Sequence, residues 1–336
     1  MLIFLPGSLR GAIGVIFLVI NTLFWAVPIY ITAVFKLILP FRSARRLFDT
    51  ILNFLSYNWI YCINGFIGII KNVEYDVEGL EELKLDEWYL VISNHQTWVD
   101  IMVLQKIFHG RIPFLKYFLK KELIWLPILG LAWWALDYPF MKRYSAELLR
   151  KKPHLKGRDI EATRKACAKF KDRPASNMNF VEGTRFTSGK HAAQSSPYRH
   201  LLKPRSGGIS YVLSTMGENM RKVIDVTIVY PDGVENVWEF LCSRKSRIIV
   251  RIEVLLIDQN LRGQDPDDPE YRNRFNNWLN ARWKKKDSKI TQEMKRMAAH
   301  YAVIKNYPLN SNLTCYKYQG QFIPLYFGLQ RNLTTH

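Results

Sequence analysis

From Gly11 to Phe35 the chain carries no charged side chain. That is about the length of a membrane-spanning helix, which needs roughly twenty apolar residues, and it constrains the chain more than any other feature. No small-residue cleavage pattern follows the run, so the sequence predicts a retained anchor and not a cleaved signal. Arg10 precedes it, while Lys36, Arg42, Arg45 and Arg46 follow it. If the segment spans, the positive-inside rule puts the bulk of the protein in the cytoplasm.

A second uncharged stretch, Ile51 to Ile70, is interrupted by Asn53, Ser56, Asn58 and Asn64. Three readings compete: a second span, a half-inserted hairpin partner and an interfacial helix. Tyr57, Trp59 and Tyr61 suit the headgroup level, and the basic link Arg42-Ser43-Ala44-Arg45-Arg46 suits anionic headgroups. These favour a two-helix hairpin in or on the inner leaflet. A full second span would instead carry the following domain to the opposite face.

The formal charge of +19 calls for an anionic partner: nucleic acid, phosphate-bearing substrates or an anionic membrane. Cys62, Cys167, Cys242 and Cys315 are too sparse for a disulfide framework and lack metal-ligand spacing, so they read as reduced structural thiols. Asn-Leu-Thr sequons at Asn312 and Asn332 read as chance matches.

From Val73 the pattern becomes that of an α/β domain. Strand-like runs are Trp88 to Ile92, Asn177 to Val181, Val223 to Val229 and Ile248 to Ile257. Helix-like runs are Val99 to Phe108, Lys116 to Leu123, Asp159 to Phe170, Gly208 to Met216 and Pro269 to Lys284. The alternation predicts a mixed central sheet flanked by helices, preceded by the hydrophobic helical anchor. The expected division is an anchor over 1–70, a catalytic domain over 71–300, and a tail over 301–336 in which no motif is legible. Leu123 to Leu136 is uncharged but too short to span, and holds Pro127 and Gly130. It is read as a buried core helix, or as the wall of an acyl-chain tunnel or a patch dipping into lipid, which Trp125, Trp133 and Trp134 favour. Lys142 to Arg173 is strongly basic. It is a solvated helix face, or on an anchored protein a headgroup or cofactor-phosphate surface; no recognition module supports nucleic acid.

Two stretches carry chemistry. In Asn94-His95-Gln96-Thr97-Trp98-Val99-Asp100, His95 and Asp100 are five positions apart. On one helix they would sit roughly 140° apart, so contact requires His95 in the turn before a helix and Asp100 in its first turn. A carboxylate on one ring nitrogen fixes the tautomer and leaves the other nitrogen as a general base. The same residues also fit a capping box, Thr97 as N-cap and Asp100 at N3, with His95 an ordinary loop residue. The second stretch, Phe180-Val181-Glu182-Gly183-Thr184-Arg185, leaves a strand into a glycine turn. Gly183 lets backbone approach a phosphate, Thr184 can donate, and Arg185 offers a planar fork. Glu182 can fix that arginine or bond a substrate hydroxyl. Alone, this motif reads as a surface turn with a Glu–Arg pair.

Together the His-x4-Asp and Glu-Gly-Thr-Arg stretches resemble the two signatures of the glycerophospholipid acyltransferases, the 1-acylglycerol-3-phosphate (lysophosphatidic acid) acyltransferase family. Between them lie Lys120-Lys121-Glu122-Leu123, Pro127, Gly130 and Phe140-Met141-Lys142-Arg143, the last in the place of the family's second block. Phe186 to His191, Ser196 to Arg205 and Asp225 to Pro231 continue a pattern similar to the bacterial YihG-type branch and the eukaryotic long-chain lysophospholipid acyltransferases. The resemblance covers Val73 to Ile257; Val181 stands where many members have proline.

The resemblance implies direct acyl transfer. His95 would take the proton from a lysophospholipid hydroxyl, which would attack the thioester of acyl-CoA or acyl carrier protein. Asp100 would orient His95. Glu182, Gly183, Thr184 and Arg185 would hold the acceptor's phosphate and glycerol, with Arg143, Lys203 and Arg205 as secondary phosphate contacts. No cofactor or metal and no covalent acyl-enzyme are needed, since a thioester is already activated. The expected partners are lysophospholipid and acyl-thioester substrates and an anionic membrane, with no nucleic acid. The expected location is a bacterial inner membrane, catalytic domain on the cytoplasmic side. 1-Acylglycerol-3-phosphate is the first acceptor; lysophosphatidylglycerol, lysophosphatidylinositol and lysocardiolipin types are the alternatives. A non-catalytic lipid-binding protein would have no need of the His95–Asp100 pair, and a serine hydrolase lacks a Gly-x-Ser-x-Gly elbow here.

Overall fold

The computed structural model describes residues 2–39, 41–141, 173–266 and 268–304, and the backbone of 314–318 and 321–325. Helices α1 (Gly7–Ile38) and α2 (Arg42–Ile70) form an antiparallel hairpin, closed where the Leu2 amide donates to the Ile69 carbonyl at 2.8 Å. Then follow β1 (Asn72–Glu78), β2 (Tyr89–Ser93), α3 (Val99–Phe108), β3 (Leu115–Tyr117), β4 (Leu119–Lys120), α4 (Leu129–Ala135) and β5 (Phe140–Met141). Beyond residue 172 come β6 (Ser176–Phe180), α5 (Ser188–Ala193), α6 (Gly207–Met216), β7 (Lys222–Val229), α7 (Val237–Cys242), β8 (Lys245–Leu256) and α8 (Pro269–Ile304). Strands β9 (Thr314–Tyr318) and β10 (Gln321–Leu325) pair antiparallel on their own.

The main sheet has the order β1-β8-β7-β2-β6-β3. Strands β7, β2, β6 and β3 run parallel; β8 is antiparallel to β7, and β1 is parallel to β8. A strand buried on both faces reads as a continuous apolar run, and Tyr89-Leu90-Val91-Ile92 is one. Its alternate residues feed two cores. Tyr89 and Val91 pack with the hairpin, α3 and α4; Leu90 and Ile92 pack with α6 and α8. On the second face β7 also presents Asp225, which meets Arg282 at 3.0 Å and Lys286 at 2.5 Å from α8. Burial pulls the Lys286 ammonium below the usual lysine range, against the attraction of Asp225.

The mixed sheet and the helix over Val99–Phe108 match the expectation. Other elements differ. Lys116 to Leu123 is not a helix: Leu115 and Tyr117 are buried on either side of half-buried Lys116, the period of an edge strand, and they pair with β6. A 3-10 turn over Lys121–Trp125 follows. Leu123 to Leu136 is not one buried helix either. Pro127 and the left-handed Ile128 (φ 67°) break it, and a Cβ on Gly130 would lie 2.1 Å from the Ile124 carbonyl. Its far half tucks Ala132, Ala135 and Leu136 into the core, while Trp125 is 85% exposed. The last helix runs to Ile304, not Lys284. The helix expected over Asp159 to Phe170, Cys167 and both sequons lie outside the described residues.

Helix α1 is long and apolar enough to cross a membrane by length and composition. Yet it lies against the domain at both ends. Near its start, a Cβ on Gly11 would sit 2.4 Å from Cys242 Sγ, so α7 can approach only because a glycine is there. Arg10 donates to the carbonyls of Ile3 and Cys242. Near its end, Tyr30 donates to the Ile128 carbonyl and Lys36 pairs with Asp137 at 2.5 Å. The opposite stripe of Ile16, Ile20, Val27, Ile31, Val34 and Ile38 is exposed. On α2, Leu47, Phe54, Tyr61 and Ile69 are exposed at the same helical spacing.

Candidate active site

The parallel strands β2, β6 and β7 end side by side, and each hands its next residues to one site. After β2, the Asn94 amide extends the ladder: its Nδ2 donates to the Ile228 carbonyl and its Oδ1 accepts from the Ile228 amide, both at 2.9 Å. Gln96 Nε2 donates to the same carbonyl at 3.1 Å. The turn between β2 and α3 is thereby pinned to β7, with His95 in it.

This turn brings His95 and Asp100 together across their five-residue spacing. His95 precedes the helix, Asp100 lies in its first turn, and Nδ1 is 2.8 Å from Asp100 Oδ2. The same oxygen accepts the amides of Gln96 at 2.6 Å and Thr97 at 3.0 Å, while Oδ1 accepts the Tyr230 hydroxyl at 2.6 Å. Asp100 is fully buried. A carboxylate with four donors is an acceptor only, so His95 carries its proton on Nδ1. Part of the capping reading is present too, since Asp100 accepts the Thr97 amide. The Thr97 hydroxyl instead donates to the Glu235 carbonyl at 2.6 Å. The imidazole stacks on Phe180, 3.8 Å between centroids and 12° between planes. Among the described residues no side chain or main-chain group bonds its Nε2. A neutral imidazole held this way can take a proton at Nε2.

Glu182 follows β6 and is only 1% exposed. Its Oε1 accepts the His95 amide at 3.3 Å and its Oε2 the Leu202 amide at 3.2 Å. Burial pushes its carboxyl up to about 8, against the opposing pull of the Leu202 and His95 amides. It is turned inward, tying together the main chains of three segments, and forms no ion pair with Arg185 among the described residues. Gly183 takes φ 72° as its amide turns back to the Phe180 carbonyl at 2.8 Å. Thr184 and Arg185 then point outward. Arg185 is exposed, its guanidinium 5.1 Å from the Trp98 ring centre.

Lys203 and Arg205 are exposed on an extended segment beside this turn. The Arg205 amide donates to the Val181 carbonyl at 2.7 Å and the Lys203 amide to Gln194 Oε1 at 3.1 Å. Arg143 lies outside the described residues, as does most of the basic run from Lys142. Two contributors were not expected as site residues. Tyr230 reaches Asp100 from the end of β7. Lys190, in the first turn of α5, donates to Thr184 Oγ1 at 2.7 Å and to the Arg185 carbonyl at 3.1 Å. The signal for Tyr230 was its place right after a buried strand, Lys222–Val229; for Lys190 it was Thr187, whose hydroxyl caps the helix that presents it. No group of three His, Cys, Asp or Glu among the described residues is placed to hold a metal ion.

Fold and site together define an α/β protein with a buried His–Asp pair at the carboxyl ends of parallel strands, bordered by outward-facing cations. A family model described as Acyltransferase matches residues 74–231. The chain is 28% identical over 244 residues to 1-acyl-sn-glycerol-3-phosphate acyltransferase 3 of Arabidopsis thaliana, covering 68% of this chain and 58% of that one. It is 27% identical over 239 residues to 2-acyl-1-lysophosphatidylinositol acyltransferase of Saccharomyces cerevisiae, covering 59% of each. It thus spans under two thirds of the length of these curated relatives. The crystal structure of the 1-acyl-sn-glycerophosphate (LPA) acyltransferase PlsC from Thermotoga maritima aligns with TM-score 0.47 and 17% identity, over 84% of this chain and 95% of that one. Over the region that the Acyltransferase family model matches, the chain is similar to glycerophospholipid acyltransferases.

Proposed function

We propose that the protein is a membrane-associated O-acyltransferase that moves a fatty acyl group from an acyl thioester to the free hydroxyl of a lysophospholipid, 1-acylglycerol-3-phosphate first among them. The observation that carries the reading is the His95–Asp100 contact at 2.8 Å with Nε2 left unbonded beside the Arg185 turn. His95 Nε2 takes the hydroxyl proton as the oxygen attacks the thioester carbonyl. The tetrahedral oxyanion collapses, the C–S bond breaks, and the thiolate leaves with the proton returned by the imidazolium. Asp100 stabilises that imidazolium while the proton is held. Acyl-CoA is the donor, with acyl carrier protein as the alternative.

Thr184 and Arg185 hold the acceptor phosphate, Lys190 adds a third donor group, and Lys203, Arg205 and Arg143 are further phosphate contacts. Glu182, being turned inward, fixes the main chain of His95 and does not touch the phosphate. Gly183 lets that turn be made. Placement in the YihG-type branch belongs to this proposal and is carried by the matching run from Lys120 to Pro231.

The hairpin lies in one leaflet. A 32-residue helix is about 48 Å long. Were α1 to span, one of its ends, and the α4 or α7 surface packed on it, would sit across the bilayer. An in-plane helix instead turns the exposed stripe of Ile16, Ile20 and Ile31 into lipid. The cytoplasmic face of a bacterial inner membrane is the location proposed.

The test follows free CoA release by purified protein in detergent from a long-chain acyl-CoA, with and without lysophosphatidic acid. Release that needs the acceptor and vanishes in His95→Ala is the expected result. Acceptor-independent release would mean a thioesterase, and near-wild-type transfer by His95→Ala would refute the mechanism.

A further inference from the structure

The His95 site lies at the carboxyl ends of the parallel strands. At their opposite ends is a second space. A cavity of about 910 Å³ opens at the elbow of the hairpin, lined by Lys36, Arg42, Arg45, Arg46, Asp49 and Arg173, with Trp134 and Asp137 across from them. It shares Asp49, Ala135, Asp137 and Arg173 with a neighbouring cavity of about 530 Å³. That second chamber is walled largely by Leu52, Phe54, Tyr57, Leu85, Phe114 and Leu136. Leu85 comes just before β2, Phe114 just before β3, and Arg173 just before β6. Five strand residues at about 3.3 Å each put this space roughly 17 Å from the turn that holds His95.

The charges of the first chamber do not balance. Lys36 is matched by Asp49 at 2.8 Å and Asp137 at 2.5 Å, and Arg173 shares Asp49 at 3.4 Å. Arg42, Arg45 and Arg46 form no ion pair and no side-chain hydrogen bond among the described residues, so five cations face two carboxylates. The same three arginines stand in the first turns of α2, which has no acidic residue in its first turn and no side-chain cap from Phe41. Like charge at the positive end of a helix dipole is unfavourable unless an anion sits between the guanidinium groups and the free amides. Leu37 and Trp134 of its lining are exposed, as are Phe41 and Leu47 next to the lining arginines in the chain.

We propose that this double chamber binds an anionic membrane phospholipid, its phosphate among Arg42, Arg45 and Arg46 and an acyl chain in the apolar chamber beside Leu136. The inference goes beyond the acyltransferase reading and rests on one part of it, the contact of the hairpin with a membrane. A soluble phosphate compound would use the cations but leave the apolar chamber and the apolar rim without a role. The bound lipid is not the acceptor, because the reacting hydroxyl must meet His95 at the other end of the sheet. Its place at the hairpin elbow couples the charge of the surrounding leaflet to the seating of the domain.

The experiment titrates the purified full chain, in neutral detergent, with monomeric dihexanoylphosphatidylglycerol. Dihexanoylphosphatidylcholine, inorganic phosphate and CoA are the comparison ligands. The anionic lipid is expected to saturate one site and to bind about tenfold or more tighter than the zwitterionic one. Arg45→Gln combined with Arg46→Gln should weaken it about ten- to a hundredfold, since charge-assisted contacts to phosphate are lost. Arg42→Gln alone, which breaks no described ion pair, should weaken it about tenfold. Arg185→Ala should leave it unchanged. Equal affinity for the two lipids, or wild-type affinity in the arginine variants, would overturn the proposal. Displacement by CoA or phosphate at similar concentration would do the same, assigning the cations to a soluble ligand, and loss in Arg185→Ala would put the lipid at the catalytic end. Acyl transfer in detergent is measured on the same samples. Its absence from wild type would remove the proposed activity and leave the titration to decide the pocket on its own.

Discussion

Replacing Asp100 by asparagine separates charge from geometry in an unusually clean way. Three donors converge on Oδ2: His95 Nδ1, the Gln96 amide and the Thr97 amide. An asparagine must therefore put its carbonyl oxygen there and its NH2 toward Tyr230, whose hydroxyl can accept as well as donate. His95 keeps its Nδ1 proton and its orientation, unlike a triad in which the corresponding change flips the tautomer and costs about 10⁴ in rate. What is lost is the attraction between carboxylate and imidazolium. At 2.8 Å, with an effective dielectric near 20, that attraction is about 6 kcal/mol before solvent and the amide dipole offset it. If about half survives as differential stabilisation of the charged imidazolium, kcat falls by roughly 10²–10³ while KM for both substrates stays put. The assay is acceptor-dependent CoA release, with thermal unfolding in the same detergent. Melting should move little, because every donor to Oδ2 keeps an acceptor. An unchanged kcat would reduce Asp100 to a capping residue. A fall in kcat that tracks a collapse in melting temperature would make its role structural, and either outcome would refute the argument.

Three further perturbations test neighbouring contacts. Tyr230→Phe removes one of four donors to Asp100 and should lower kcat about fivefold, near 1 kcal/mol, with KM and melting temperature almost unchanged; a KM effect would place Tyr230 against substrate instead. Arg185→Ala should raise KM for the acceptor about ten- to a hundredfold and spare the donor, read from two-substrate kinetics; loss on the acyl-CoA side would assign Arg185 to the donor. Glu182→Gln tests linkage: burial raises the folded carboxyl to about 8, above its unfolded value near 4.5, so the folded state holds the extra proton. That contribution is fully present below about pH 4.5 and is lost as pH rises toward 8, so wild type should lose stability across that window relative to Glu182→Gln. Parallel melting profiles at pH 5, 6.5 and 8 would contradict it.

The legible parts of the site were those whose geometry is local. A separation of five residues admits one way for His95 to meet Asp100, and the buried strand β2 announces itself as four consecutive apolar residues. What could not be read depended on partners far along the chain. Whether Glu182 faces Arg185 or the interior is decided by the Leu202 amide, and Tyr230 comes to Asp100 across 130 residues because β7 lies beside β2. Strand β3 was missed because three residues with a lysine in the middle carry too little periodicity to outweigh a helical reading; it exists because β6 needs an edge partner. The full length of α8 was hidden for a related reason. Lys286 sits mid-helix facing the core, where a polar residue argues against burial unless its partner, Asp225 on β7, is already known.

The hairpin connects these observations along one axis. Near the start of α1, Arg10 and Gly11 dock on α7, which follows β7 and so stands at the end of the sheet that carries His95. The far end of α1 reaches Asp137 and the basic chamber, beside the opposite ends of β2, β3 and β6. The helix therefore runs the length of the parallel strands with its apolar stripe turned outward throughout. A helix immersed along its whole length holds the sheet parallel to the membrane surface, so both ends of the sheet stand at the same depth. In that orientation the proposed amphiphilic acceptor would reach Nε2 of His95 by moving sideways in the leaflet, with its phosphate at the level of Arg185 and its chains never leaving lipid. A spanning helix would tip one end of the sheet away from the surface and force that acceptor out of the bilayer, at about 0.8 kcal/mol for each exposed methylene. On the proposed reading, an in-plane hairpin and the position of the His95–Asp100 pair would be two consequences of a single requirement on a water-insoluble substrate.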